Sequence, residues 1–192
     1  MTIKSASEVL PRIASQCTDM AGHFTTLTAL ASQCQSVIEM GVRGGCSAFA
    51  LLAGLEQSQW AGKWMLYLDI NDCRNNELEE IAHQHAIEIE FKKADSRHVD
   101  LPSCDLLFID TLHTYGQLTL ELQLHSTKAR KYIVMHDVEA PYGTKNEIKD
   151  GSPKEGLQPA IQDFLAEFTN WRIKDWHENC HGLCVLERIN EL

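Results

Sequence analysis

No stretch of the 192-residue sequence approaches about twenty uninterrupted apolar residues, so no membrane span is expected. The opening residues, MTIKSASEVLPRIASQ, begin polar and lack a continuous apolar core, which argues against a secretory leader. No C-x-x-C pair occurs among the seven cysteines (Cys17, Cys34, Cys46, Cys73, Cys104, Cys180 and Cys184), and an odd count leaves one over. A disulfide framework or zinc ribbon is therefore not expected, and a reducing, cytoplasmic setting fits best. Basic side chains are scarce: 17 Lys and Arg stand against 27 Asp and Glu, for a formal net charge of -10. An acidic surface repels phosphate backbones, which excludes nucleic acid as the expected partner. Internal repeats, low-complexity tracts and long linkers are also missing.

The hydrophobic fraction, 44%, is ordinary for a globular protein, and the length suits one unit, residues 1–192, with a real core. Residues 7–33 carry Val9, Leu10 and Ile13, then Phe24, Leu27 and Leu30, at helical spacing, so 1–35 reads as a helical segment. From residue 36 short apolar runs alternate with helical patterns. Strands are expected at 36–40, 64–70, 87–91, 105–110 and 131–137, with helices at 47–55, 77–86, 115–127 and 156–168. Two closing strands, 171–178 and 182–188, form an antiparallel edge. Residues 139–154, rich in Pro, Gly, Lys and Asp, read as a surface loop. Strand–helix alternation implies an α/β, doubly wound, mostly parallel seven-stranded sheet over 36–192.

Ligands of such sheets bind beyond the carboxyl ends of the strands, and here those ends are all acidic: Glu39, Asp69, Asp95, Asp110 and Asp137. The first strand–helix turn, Glu39-Met40-Gly41-Val42-Arg43-Gly44-Gly45, lacks the G-x-G-x-x-G dinucleotide fingerprint. Glu39 would repel a pyrophosphate and welcome an ammonium or sulfonium group. Gly41 and Gly45 permit either close approach of a ligand or simply a tight turn. Asp69 suits a pair of ribose hydroxyls, or a cap. Asp95-Ser96 suits an adenine amine, or a turn. Asp110 and Asp137 end strands that should be neighbours, and two converging carboxylates suit a hard cation such as Mg²⁺. Such an ion lowers the pKa of a bound hydroxyl. His136 is a third candidate ligand unless the strand turns it inward. His113 is a candidate general base or a cap for the helix after it. Asp110 alternatively holds the ammonium of a cofactor without metal. Cys180, Cys184, His177 and His181 crowd one stretch and read either as a metal site or as a loop entering a buried strand.

These residues carry a resemblance. Val37-Ile38-Glu39-Met40-Gly41 through Gly45, Leu68-Asp69-Ile70 and Ala94-Asp95-Ser96 resemble, in order, the first three motifs of class I S-adenosylmethionine (SAM)-dependent methyltransferases. The resemblance covers roughly residues 36–188. It implies a Rossmann-like methyltransferase fold, with the methionine part of SAM at the first motif, its ribose at Asp69 and its adenine beside Asp95 and Ser96. Asp105 through Tyr115 (DLLFIDTLHTY), the strand-end His136-Asp137 and the closing GLCVL strand are similar to a small-molecule O-methyltransferase branch that includes macrolide-sugar methyltransferases and cephalosporin hydroxylase-like proteins. Thr111 stands where that branch usually has glycine.

The expected function is therefore SAM-dependent O-methylation of a small hydroxylated acceptor, Mg²⁺-assisted, under a lid formed by residues 1–35 and 139–154. The competing readings are a SAM-binding domain used as a partner or scaffold and, on the same kind of sheet, a nicotinamide-dependent enzyme. Trp and Leu residues near the closing strands are candidates for a homodimer surface.

Overall fold

The computed structural model describes residues 4–189. Seven strands form one sheet: β1 (Ser36–Met40), β2 (Trp64–Asp69), β3 (Glu88–Lys93), β4 (Cys104–Ile109), β5 (Ala129–His136), β6 (Trp171–His177) and β7 (Leu183–Arg188). Their order is β3-β2-β1-β4-β5-β7-β6, with β7 antiparallel to both of its neighbours. The sheet is thus mixed: the last hairpin inserts its second strand next to β5 and leaves β6 at the edge.

Among the described residues six α-helices cover the two faces: α1 (Ala6–Ala14), α2 (Phe24–Ala31), α3 (Cys46–Gln57), α4 (Asn76–Gln84), α5 (Tyr115–His125) and α6 (Leu157–Glu167). Because alternate residues of a strand face opposite ways, the central strands feed two cores. Val37, Tyr67, Phe108 and Val134 join the helices α1–α4, while Ile38, Leu68, Ile109 and Met135 join α5 and α6. α3 is buried at nine consecutive positions, Ser47 to Leu55, because the α1–α2 layer covers the side that the sheet does not. Residues 4–31 are therefore a structural layer as well as a margin of the site. Truncating Phe49, which is fully enclosed between these layers, would cost about 3–5 kcal/mol.

Helix starts follow local chemistry. Ser5 and Glu8 form a capping box on α1, Asn75 caps α4, and Thr114 caps α5 by accepting from the amide of Gln117. The cap of α5 is thus Thr114, not His113.

Several expectations change. Cys17 and Cys46 are paired in a disulfide, with their Cα atoms 6.3 Å apart; no motif announces this pair because the fold alone brings the two residues together. Trp171, Leu183 and Leu186 of the closing hairpin are buried in the core, while Ile173 on the edge strand is exposed. His125 on α5 is buried, with Nε2 donating to the Ser96 carbonyl. Among the described residues no helix is long and apolar enough to cross a membrane.

One close contact positions the rest. Gly41, at φ +86°, lies against the Asp110 backbone, and a Cβ placed there would come within 1.9 Å of the Asp110 carbonyl oxygen. Gly44, three residues on, has open surroundings. Gly41→Ala is expected to lose about 3 kcal/mol or more, and Gly44→Ala less than about 1 kcal/mol. Urea denaturation of both variants checks this; equal losses would show that the contact is not limiting.

Candidate active site

The carboxyl ends of β1, β2 and β4 and the turn after β3 open into a cavity of about 400 Å³. Gly41, Asp69, Asp95, Ser96 and Asp110 line it, along with Thr111, Leu112 and Gln117. Parallel register accounts for the convergence: Met40 pairs with Leu68 on one side and Ile109 on the other, so the residues that follow each strand arrive at one level. Glu39 and Gly45 do not line the cavity. Glu39 is fully buried behind the turn, and Gly45, at φ +79°, begins α3.

The Asp69 carboxylate organises the glycine turn. Its Oδ2 accepts from the amides of Val42 (3.0 Å) and Arg43 (3.1 Å), and its Oδ1 accepts from Asn71 (2.8 Å). Burial pushes its pKa up, but those amides more than offset burial and hold it below the usual carboxylate range. A carboxylate offers about four acceptor positions, so a ligand hydroxyl can still be received. Asp95 behaves differently. Arg97 grips both its oxygens, at 3.0 and 2.7 Å, and keeps it ionised.

Glu39 has Ser47 as its donor on one oxygen, while its Oε2 is buried with no partner among the described residues. Burial, with smaller contributions from Asp110 and Asp69, raises its pKa to about 8 despite the Ser47 hydrogen bond. It is therefore neutral at pH 7 until a cation arrives.

At the end of β5 the side chains of Asp110, His113, His136 and Asp137 meet, with Glu147 beside them. His113 Nε2 lies 3.3 Å from Asp110 Oδ1 and 3.1 Å from Asp137 Oδ2, and its Nδ1 lies 3.1 Å from Glu147. His136 Nδ1 lies 3.2 Å from Asp137 and 3.6 Å from Asp110, while its Nε2 donates to the Cys180 carbonyl at 2.9 Å. Burial lowers the basicity of both imidazoles, but the paired carboxylates overcome it, taking His113 to about 9 and His136 to about 10. Burial likewise opposes ionisation of Asp110 and Asp137, and the two imidazoles reverse that and lower both. Asp137 adopts φ +59°, and this left-handed turn carries its carboxylate back toward Asp110.

Asp110, His113 and Asp137 each offer a ligand atom within 4.8 Å of the others, the one such group of three or more among the described residues. His136 approaches the same carboxylates from the core side. The Cys180, Cys184, His177 and His181 stretch forms no such group; Cys184 is enclosed in β7.

The 139–154 loop is pinned over this cluster. Tyr142 stacks on the His113 ring at 4.6 Å, the Asn146 side chain accepts from the Tyr115 amide, and Asp150 accepts from the Gly116 amide. On the opposite margin Arg43, which lines the cavity, pairs with Asp19 at 2.6 Å.

Sequence reasoning did not single out Glu121, Gln117 or Glu147. Glu121 is fully buried and holds Ser96 Oγ at 2.5 Å, Gln117 Nε2 at 2.7 Å and Thr111 Oγ1 at 2.8 Å. The available signal was a polar row, Gln117, Glu121 and His125, at i, i+4 spacing on a helix whose neighbouring rows carry leucine; such a row ordinarily faces water.

No protein-family model and no curated protein matches the sequence. Solved structures do match the fold. A Corynebacterium glutamicum protein superposes with a TM-score of 0.68 at 14% identity, over 100% of this chain and 94% of that one. The O-methyltransferase TomG of Streptomyces achromogenes, involved in tomaymycin synthesis and solved with SAM, gives 0.55 at 16% identity over 95% and 90%. An O-methyltransferase from Bacillus cereus, solved with SAH, gives 0.56 at 15% over 94% and 90%. The chain has the Rossmann-like class I methyltransferase fold.

The raised pKa of Glu39 fixes the sign of one pH effect. Between its ordinary value near 4.5 and about 8 the folded state holds a proton that the unfolded state has released. This group's contribution to stability therefore falls as pH rises through that window. Relative to Glu39→Gln, which keeps the volume and the Ser47 partner, the wild type should lose up to about 1.4 kcal/mol per pH unit from pH 6 to 8. Thermal or urea melts across that range check it; parallel curves would mean that Glu39 is already ionised.

Proposed function

We propose that this protein is a SAM-dependent O-methyltransferase acting on a small hydroxylated molecule, assisted by a divalent cation such as Mg²⁺. The observation that carries the reading is the continuity of two unlike sites. A cavity of ligand size lies beyond the strand ends, and it shares Asp110 with a cluster of carboxylates and imidazoles.

In this reading the glycine turn at Gly41 and Gly45 takes the methionine part of the cofactor, and Glu39 supplies the countercharge for its cationic end. Asp69 receives the ribose hydroxyls, and Asp95 and Ser96 wall the adenine end. Asp110 stands between the cofactor and the acceptor. The acceptor hydroxyl enters beneath Tyr142 and the 139–154 loop, which excludes water. His113, oriented by Asp110 and Asp137, holds a proton of its own in the cation-free site; once a bound cation has displaced that proton, the neutral ring would take the one from the hydroxyl. Methyl transfer itself is a displacement at the sulfonium methyl and depends mainly on in-line positioning.

The carboxylates of Asp110 and Asp137 fit a divalent cation: two hard oxygens within one coordination sphere, with His136 behind them as a third donor and His113 left free as the base. Two protonated histidines stand in for positive charge at the same place when no cation is bound. A bound cation would lower the pKa of an acceptor hydroxyl and displace the His113 proton.

Calorimetric titration of SAM with and without Mg²⁺ tests the reading. The expected result is micromolar binding, with a metal-dependent heat that Asp137→Asn removes. Asp110→Ala should lower transfer by about 100-fold or more while weakening SAM binding less. Absence of SAM binding under both conditions would overturn the cofactor assignment, and a fully active Asp110→Ala would overturn the role of that residue. At pH 7, titration in buffers of different ionisation heat should register release of about one proton in the wild type and none in Glu39→Gln.

A further inference from the structure

Glu121 is a fully buried acid on α5 that none of the chemistry above uses. All three of its hydrogen-bond donors belong to the walls of the cavity: Ser96, Gln117 and Thr111. Their arrangement fixes the side-chain amide of Gln117. One of its N–H groups goes to Glu121 Oε1 at 2.7 Å, and the other goes to Ser96 Oγ at 3.1 Å. The Ser96 hydroxyl has only its lone pairs to offer, because its own hydrogen is donated to Glu121. A flipped amide would set the Gln117 carbonyl oxygen against Glu121 Oε1, which already accepts from Ser96, and lose both bonds.

The amide is therefore held in one orientation, and Gln117 Oε1 is left as the polar atom with no protein partner among the described residues. The other candidates at this end of the cavity are occupied. The Asp95 oxygens are held by Arg97, and the Ser96 hydroxyl both donates and accepts within the network. A fixed carbonyl oxygen selects a hydrogen-bond donor and rejects another acceptor.

We infer that Gln117, locked by Glu121 and Ser96, reads the exocyclic 6-amino group of the cofactor's adenine and so sets the selectivity for adenine over hypoxanthine. This rests on the proposed SAM site and deepens it. Gln117 is the contact, and Glu121 is a positioning residue that acts through it. His125, the next residue of the same row, steadies the Ser96 turn by donating to its carbonyl at 2.7 Å.

The test compares binding of S-adenosylhomocysteine with that of S-inosylhomocysteine, in which a carbonyl replaces the 6-amino group, by calorimetry on the intact protein. The wild type should prefer the adenine ligand by about tenfold or more, one well-made hydrogen bond's worth. Gln117→Leu should weaken the adenine ligand by about tenfold, leave the inosine ligand unchanged, and bring the ratio close to one. Glu121→Gln, which keeps the volume but can turn a donor N–H toward Ser96 and Gln117 in place of the acceptor oxygen that orients the amide, should lower the ratio in the same direction without touching the ligand. A general loss of structure would weaken both ligands alike and leave the ratio where it was. A Gln117→Leu protein that retains the full preference overturns this inference and leaves the cofactor site standing. A wild type that binds neither ligand overturns both.

Discussion

The close approach of Gly41 to the Asp110 backbone is the constraint on which the site depends. It exists because β1 lies between β2 and β4 in parallel register, so that Met40 sits level with Ile109 and each chain leaves the sheet at the same height. A side chain at Gly41 would force those two exits apart. With it absent, the Asp110 amide still bonds to the Met40 carbonyl, and the Gly41 amide bonds to the Leu68 carbonyl. Three strand ends are thereby tied together one residue beyond the regular sheet. The Asp69 carboxylate then fastens the turn by its two amides. Cavity floor, glycine turn and the Asp110 carboxylate are consequences of one packing contact.

Gathering carboxylates at one edge has an electrostatic cost, and each acid meets it differently. Asp69 is stabilised by backbone amides and Asp95 by a guanidinium, whereas Glu39 has neither and keeps its proton. Asp110 and Asp137 depend on two imidazoles that they hold in the charged form. The result is a gradient along the site. Toward β2 and β3 the charges are satisfied internally and present a fixed surface. Toward β5 they are balanced by protons, which a cation or a reacting hydroxyl can exchange. The site thus joins a fixed half to a proton-exchanging half.

The sequence displayed much of this and concealed the rest, for physical reasons. Continuous apolar runs such as 36–40 and 105–110 announce buried strands because both faces of those strands are covered. The acidic strand ends were legible for the same reason: a charge after a buried run has to lie at the edge. What could not be read was contact across sequence distance. His113 meets Asp137 across 24 residues, where the Asp137 backbone turns left-handed, and nothing in the local pattern requires aspartate there to do so. Cys17 meets Cys46 because the helical layer folds back on α3, and the spacing of the cysteines carries no trace of that. The burial of Leu183 and Leu186 could not be read either, because one strand alone does not reveal that β7 inserts beside β5.

Thr111 illustrates how a departure from a familiar pattern can be absorbed. Glycine at that position would suggest a turn that needs positive φ, yet Thr111 is not among the residues with positive φ, so the chain after Asp110 tolerates a β-carbon. The added hydroxyl is not idle: it donates to Glu121, whose other oxygen holds Ser96 and Gln117. A buried carboxylate with three donors is tolerable where one with two would be more costly. The threonine and the glutamate thus make sense together and poorly apart. A hydroxyl on the turn lets a carboxyl side chain sit inside α5's packed face, and that side chain in turn makes one wall of the cavity rigid.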